Sequence, residues 1–255
     1  MLSDIHLARR LEAAEAVNAA ACARSGGAAI YIGGGCAVFA GDHSPLSQAV
    51  GLGLNGPVPE PEVDRMEEFF RSRGTPVSVD LCPLADPGLV EILGRRGYRA
   101  TEFTTVLVRE MAGFEPAPAD PRVRPAAASE ADLWVRTVGS GFCERDELSA
   151  EEQSVGRLIL AIPAACYFGF AASGESAAAA AMTVHSGLAV LFGDSTRVAF
   201  RRQGLHAALI AARLADAHTA GCDLATAATA PGSPAQAHFE RAGFRVVYTK
   251  VSICE

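Results

Sequence analysis

Leu188-Ala189-Val190-Leu191-Phe192-Gly193-Asp194-Ser195-Thr196-Arg197-Val198-Ala199-Phe200-Arg201-Arg202-Gln203-Gly204-Leu205-His206 is the stretch whose reading decides the fold. Its first residues form an uninterrupted apolar run, the pattern of a strand buried on both faces. Gly193-Asp194-Ser195-Thr196 then lead towards the two arginines. Past the paired arginines, Leu205, Ala208, Leu209 and Ala212 recur at i, i+3, i+4 and i+7, which predicts an amphipathic helix. A strand that passes through Arg-x-x-Gly into a helix aims free backbone N–H groups, and the positive end of the helix dipole, at one point. Such a point attracts anions. Gly204 lets a phosphate approach the backbone, and Arg201 and Arg202 add charge. The same residues also describe an ordinary solvated turn, so the flanking sequence has to decide.

Upstream, Cys166–Ala171 and Ala178–Val184 form a hairpin pattern around Ser173-Gly174-Glu175, although the alanine run weakens it. Val123–Pro125 reads as a short strand, and Ser129 caps a helix through Leu133, Trp134 and Val138, with Glu130 and Asp132 in its first turn. A second helix, Glu151–Ala161, follows the polar segment Cys143–Leu148. Downstream come a strand at Asp223–Thr229, a helix at Pro234–Ala242 and a closing strand at Phe244–Cys254. Residues 111–122 hold three prolines without periodicity, which reads as a linker. The expected division is 1–112, a linker at 113–122, and 123–255.

The first half has the same plan. A helix over 3–24, capped at Ser3-Asp4, precedes two strands around Gly33-Gly34-Gly35; no helix pattern follows these glycines, so they read as a turn rather than a dinucleotide loop. Pro61–Arg73 and Asp86–Gly97 read as helices, and Val77–Leu81 and Thr104–Val108 as strands. Gly74-Thr-Pro-Val-Ser-Val-Asp-Leu leads through a helix to Arg95-Arg-Gly-Tyr-Arg. Gly221-Cys-Asp-Leu-Ala-Thr-Ala-Ala leads likewise to Arg241-Ala-Gly-Phe-Arg, offset by 147 residues at the first glycine and 146 at the second. Two tandem α/β units explain the repeat. They differ at the junction before the central helix. There the first unit has Asn55-Gly-Pro-Val-Pro-Glu-Pro61, without arginine and with prolines that remove N–H donors.

Composition narrows the function. The 255 residues can bury a large core, and a net charge of -7 without a run of like charge argues against general nucleic-acid binding. The seven cysteines are scattered and lack a Cys-x-x-Cys, as expected of small buried residues in a reducing compartment. The first 25 residues carry Asp4, Arg9, Arg10, Glu12 and Glu15 and so have no signal-peptide core. With no apolar stretch of membrane-spanning length, the expectation is a soluble cytoplasmic protein that engages neither nucleic acid nor membrane.

On these residues the second half, 123–255, resembles the GNAT N-acetyltransferase superfamily. Arg201-Arg202-Gln203-Gly204-Leu205-His206 matches its Arg/Gln-x-x-Gly-x-Gly/Ala at Arg201 and Gly204 and departs from it at His206. Phe239-Glu240-Arg241-Ala242-Gly243-Phe244 matches its aromatic-x-x-x-Gly-Phe ending. The resemblance implies two tandem GNAT-like units, each a mixed, mostly antiparallel sheet flanked by helices, the N-terminal one degenerate. It implies acetyl-CoA as cosubstrate, no metal, and an amine of a small molecule or peptide as acceptor, and it leaves a homodimer open.

By this resemblance the amides from Gln203 through Leu205 and His206 to Ala207 hold the pyrophosphate, with Arg201, Arg202 and Gly204. The backbone of Thr196, Arg197 and Val198 pairs with the pantetheine arm, and Ser233 and Phe239 complete the cofactor site. His206 either faces solvent or adds charge beside the phosphate. The family's usual acid, a tyrosine four residues before the final glycine, is here Phe239, which leaves Tyr248 and Tyr167 as acid candidates. For the base, Asp194 comes first, then Glu144 or Glu147, with His185 a weaker candidate. Asp194 reads also as a capping or turn residue, and both tyrosines as packing residues. The alternative to direct acetyl transfer is a non-catalytic acyl-CoA-binding sensor or scaffold.

Overall fold

The computed structural model describes residues 4–42 and 44–255. Ser3 of the expected N-cap lies outside the described residues; Asp4 caps the first helix, its Oδ1 accepting the Leu7 N–H at 2.8 Å. The chain forms two units, Met1–Val106 with Val246–Glu255, and Leu107–Arg245. The expected linker therefore falls inside the second unit, and the last strand belongs to the first.

The first unit runs α1 (Ile5–Cys22), β1 (Ala28–Ile32), β2 (Gly35–Phe39), β3 (Gln48–Val50), α2 (Glu60–Arg71), β4 (Ser78–Leu81), α3 (Pro87–Arg95) and the first part of β5 (Arg99–Glu110). The second continues with β6 (Val123–Pro125), α4 (Ala131–Phe142), α5 (Ala150–Leu160), β7 (Ala165–Phe170), β8 (Ser176–His185), β9 (Leu188–Thr196), α6 (Leu205–Thr219), β10 (Leu224–Thr229) and α7 (Pro234–Arg241). The chain then returns to the first unit as β11 (Arg245–Cys254).

Strand order in the first unit is β1-β2-β3-β4-β11-β5, with β3 and β4 parallel and β11 antiparallel to β4. In the second it is β5-β10-β9-β8-β7-β6, where β10 and β9 run parallel and β9-β8, β8-β7 and β7-β6 are antiparallel. Each unit is thus a mixed sheet flanked by helices. Its core lies where apolar helix faces meet the sheet: Met66, Phe70, Leu89 and Leu93 in the first unit, Leu205, Leu209, Leu214 and Phe239 in the second.

Several elements depart from the sequence reading. Ser129 sits in a short 3-10 turn before α4 and does not cap it; the Glu130 carboxylate takes the Ala127 N–H at 2.8 Å instead. Asp194, read also as a capping or turn residue, lies with Gly193, Ser195 and Thr196 inside β9. The register of β8 against β9 passes from Ala181↔Phe192 to Ala179↔Ser195, so Gly193 and Asp194 oppose a single residue. Gly193 has φ +66°, the left-handed conformation of a glycine bulge. The bulge interrupts the ladder, and the carbonyls of Ala180 and Ala181 accept from Trp134 Nε1 at 3.3 Å and Arg213 Nη1 at 3.0 Å.

Candidate functional site

The site is assembled where β9 and β10 part. Their parallel register runs from Leu224↔Leu188 to Ala227↔Leu191, while β9 continues to Thr196. An unpaired strand edge of this kind can accept another extended chain by backbone hydrogen bonding. Below it, the chain turns through Arg201, Arg202 at φ +63° and Gly204 at φ +79° into α6. Gly204 is the N-cap, a position whose φ disfavours every L side chain. The first helical bond is Ala208 N–H to the Gly204 carbonyl at 3.0 Å. The amides of Leu205, His206 and Ala207 precede that bond, so they are the free donors of a helix N-terminus.

The cations around this turn differ from those read in the sequence. Arg201 folds away from it: Nη1 meets Glu144 at 2.8 Å, Nη2 the Gly141 carbonyl at 3.1 Å, and Nε the Thr196 carbonyl at 3.3 Å. Arg202 is exposed. Arg122, from the expected linker, donates Nη1 to the Gln203 carbonyl at 2.9 Å, and its Nη2 lies 3.9 Å from where a Cβ on Gly204 would stand. Asp120 holds that guanidinium in a fork, Nε–Oδ1 3.0 Å and Nη2–Oδ2 2.7 Å. Beyond Arg122 a Cβ at Gly204 meets nothing within 4 Å, so the turn is open to a phosphate. Arg122, Arg202 and the three amides fit the pyrophosphate end of a coenzyme A.

Inward from the turn lies a cluster of ionisable side chains. Asp194, re-aimed by the bulge, is clasped by Arg213, with Nη1–Oδ2 at 3.0 Å and a short Nη2–Oδ1 contact. Arg213 is fully buried. His206 Nε2 lies 3.1 Å from Asp194 Oδ1, and His206 Nδ1 lies 2.8 Å from His238 Nδ1 on α7. Phe239 closes the cluster, its ring edge-to-face on His206 at 5.6 Å and on Phe244 at 5.1 Å. Burial works to raise the Asp194 pKa, but Arg213 and His206 outweigh it and hold the carboxyl below its ordinary value. Burial, helped by His206 and Arg241, lowers the pKa of His238.

No family model and no curated protein matches this chain. Solved structures do. A GCN5-related N-acetyltransferase from Kribbella flavida superposes with a TM-score of 0.70 at 19% identity, over 97% of this chain and 95% of that one. A tandem GNAT protein from the clavulanic acid biosynthesis pathway gives 0.64 at 13% identity, over 100% and 96%. A GCN5-related N-acetyltransferase from Sphaerobacter thermophilus gives 0.59 at 13% identity, over 77% and 67%. The fold is that of the tandem GNAT proteins.

Within the GNAT fold the expected site residues are distributed unevenly. Gln203 and Gly204 lie in the turn, and Leu205, His206 and Ala207 are the first residues of α6. The arm-pairing segment shifts: β9 ends at Thr196, and Val198–Phe200 is a 3-10 turn, so the extended edge precedes Arg197 and Val198. Arg197 is tied to Asp146 at 3.0 Å and to the Ser176 carbonyl at 3.0 Å. Ser233 caps α7 through the Gln236 N–H at 3.2 Å. Phe239 is a core residue at 2% exposure.

Among the proton-transfer candidates only Asp194 joins the cluster, and as a buried ion-pair partner rather than a free base. Glu144 is paired with Arg201. Glu147 lies in the same polar segment, its carbonyl accepting from Arg145 Nε at 3.1 Å. Tyr167 donates to Asp216 at 2.6 Å, and burial raises its pKa. Tyr248 is carried by β11 into the first unit, where it donates to Glu12 at 2.8 Å. His185 ends β8 opposite Leu188, at the far end of the strand from the bulge. His206 neither faces solvent nor adds charge on the phosphate side; its side chain is 16% exposed and turned to Asp194.

Arg122, Arg213 and His238 were missed. Only Arg213 had a visible signal, since Leu205, Leu209 and Arg213 are spaced by four, and a charge on a buried helix face needs a partner. Among the described residues no cluster of three or more His, Cys, Asp or Glu could hold a metal. No helix among them is long and apolar enough to cross a membrane.

Proposed function

We propose that the second unit transfers an acetyl group from acetyl-CoA to an amine of a small molecule or peptide. The observation that carries this reading is the coincidence of the parted edge of β9 with the open, cationic turn at Gly204. The turn suits the pyrophosphate and the edge suits the pantetheine arm. A backbone N–H on that edge would stabilise the negative charge that develops on the thioester oxygen. No cysteine lies on β9 or α6, in keeping with direct attack in a ternary complex rather than an acyl-enzyme. All seven cysteines are free, which suits the reducing cytoplasm. A second reading, an acyl-CoA sensor without turnover, is favoured by one observation: Phe239 brings no hydroxyl to the position where the family carries its acid.

Calorimetry and turnover test both readings. Acetyl-CoA should saturate at one equivalent per chain. Gly204→Val, which puts a β-branched side chain at φ +79°, should weaken binding by at least tenfold while the second unit stays folded. Unchanged affinity in a folded variant, or saturation at two equivalents, would place the cofactor elsewhere. Binding without acetylation of any amine would favour the sensor.

A further inference from the structure

The first helices after the two parting strands touch through their histidines. α6 follows β9 and carries His206; α7 follows β10 and carries His238, so the 2.8 Å contact between their Nδ1 atoms joins the two sides of the divergence. Behind it Asp194 accepts from both His206 and the fully buried Arg213.

The donor pattern of this chain follows from its buried end. Asp194 is ionised and only accepts, so His206 presents Nε2–H to it. Arg213 already balances the single negative charge of Asp194, so the pair of imidazoles need carry no proton beyond one on each ring. The His206 Nδ1 is then a lone pair, and His238 must place its proton on Nδ1 to meet it. That leaves His238 Nε2 as the one ring nitrogen of the pair with an unused lone pair. We propose that His238 is the proton-transferring residue of the acetyl transfer, and that His206 and Asp194 are positioning residues that fix its tautomer and share the proton it takes up.

The inference rests on the acetyl-transfer reading. As the amine nitrogen forms its bond to the acetyl carbon, its proton passes to His238 Nε2. The carbon–sulfur bond then breaks, and His238 returns that proton to the departing sulfur. The products are the amide and the free thiol; His238 ends as it began, and no other reactant is consumed. While the proton is held, His238 Nδ1–H and His206 share it, with Asp194 as the anion. The titratable and charged groups around His238 are His206 and, behind it, Arg213 on α6, Asp194 on β9, and Glu240 and Arg241 on α7 itself. β10, Leu-Ala-Thr-Ala-Ala-Thr, brings none. Burial, with Arg241 on the same helix, lowers the pKa of His238 and so favours its basic form at neutral pH.

Two measurements on the full chain decide this. Nitrogen-15 correlation spectra of the wild-type protein without substrate should show His238 protonated on Nδ1 and bare on Nε2, with His206 protonated on Nε2 alone. The reverse tautomer at His238, or a doubly protonated His206, overturns the shuttle whatever the activity. Turnover is then followed from pH 5 to 9 with acetyl-CoA and a polyamine, an aminoglycoside and a dipeptide as acceptors. Wild type should lose kcat on the acid side, below the ordinary histidine value. His238→Gln should lower kcat about a hundredfold or more and abolish that acid limb, with the KM for acetyl-CoA changed only a few-fold. His206→Gln should lower kcat and shift the limb. If amines are acetylated and His238→Gln keeps the rate and the limb, the shuttle falls and the acetyl-transfer reading stands. If wild type acetylates none, both fall.

Discussion

The two units begin their central helices with opposite chemistry. Before α6 stand Arg202, Gln203 and Gly204, with the first amides free and a guanidinium held beside them. Before α2 stand Pro57 and Pro59, the latter as N-cap, and Pro61 lies between Glu60 and Glu62 in the first turn. Glu62 turns its carboxylate to the Gly33 N–H at 2.5 Å. An acidic first turn already complements the helix dipole and repels a phosphate. One fold thus yields a turn suited to an anion and one that disfavours it, through a handful of residues that leave the strands and helices alone.

A second contrast lies in what each unit buries. The second unit balances one carboxylate, Asp194, against one guanidinium, Arg213. The first buries Lys250 on β11 among Asp80 at 2.6 Å, Glu15 at 2.6 Å and Glu12 at 3.6 Å. Burial works against the Lys250 ammonium, but Glu15, Glu12 and Asp80 outweigh it and raise its pKa. Burial pushes the Glu12 carboxyl up to about 7 against the pull of Lys250, and among the described residues its Oε2 has no hydrogen-bond partner. The second unit's pair is matched in charge. The first unit's group carries more acid than its lysine can neutralise.

Deleting the cation should have the largest effect. Arg213→Met strands a buried carboxylate and should cost about 3–5 kcal/mol in urea unfolding. Trp134, the only tryptophan and buried in the second unit, reports that unit selectively. Lys250→Met should destabilise the first unit by a comparable amount, read by hydrogen exchange on β4 and β11. The loss at Lys250 should shrink at pH 5, where Glu12 carries a proton. Equal losses at pH 5 and 8 would show that the excess of acid has no energetic consequence.

Acidity alone should separate the units next, with opposite signs. The Asp194 pKa is depressed, so its stabilising contribution is present above the unfolded value of about 3.8 and is lost as pH falls below it. The Glu12 pKa is raised, so its contribution is present below 4.5 and is lost as pH rises towards about 7. Between pH 5 and 8 the Trp134 signal should therefore report stability that rises with pH, because the lowered pKa of His238 costs stability below the ordinary histidine value of about 6.5, while exchange from β4 and β11, corrected for its intrinsic pH dependence, quickens. Glu12→Gln should flatten that rise. Parallel pH dependences in both units would break the contrast.

How far the sequence told of this follows from the range of each signal. The Arg-x-x-Gly turn and the period of α6 are local, because a left-handed glycine and a repeat of Leu205, Ala208 and Leu209 constrain only their own neighbours. Both were legible. The tandem plan was legible for the same reason, repeated at a fixed offset. The closing strand at Phe244–Cys254 was legible but its neighbours were not, so Tyr248 was read with the second unit although β11 belongs to the first. Gly193-Asp194-Ser195 has turn composition because a glycine bulge draws on the same residues as a turn. His238 and His206 lie 32 residues apart on separate helices, and no local pattern pairs them.

Phe239→Tyr should have the smallest effect, and it bears on both the contrast and the shuttle. Phe239 stands where the resemblance places a proton-donating tyrosine, so restoring the hydroxyl would raise turnover several-fold if the site lacked an acid. The structure gives a different expectation. The ring is 2% exposed and packed edge-to-face against His206 and Phe244, so a hydroxyl added there enters the core rather than the cleft. Burying it without a partner should cost about 1–3 kcal/mol of stability in the second unit. Turnover should show no gain, because His238, one residue earlier, already returns the proton. A several-fold gain at neutral pH, with the Trp134 unfolding midpoint unmoved, would mean that the new hydroxyl reaches the departing sulfur. The acid half of the shuttle would then belong to position 239 and only the base half to His238.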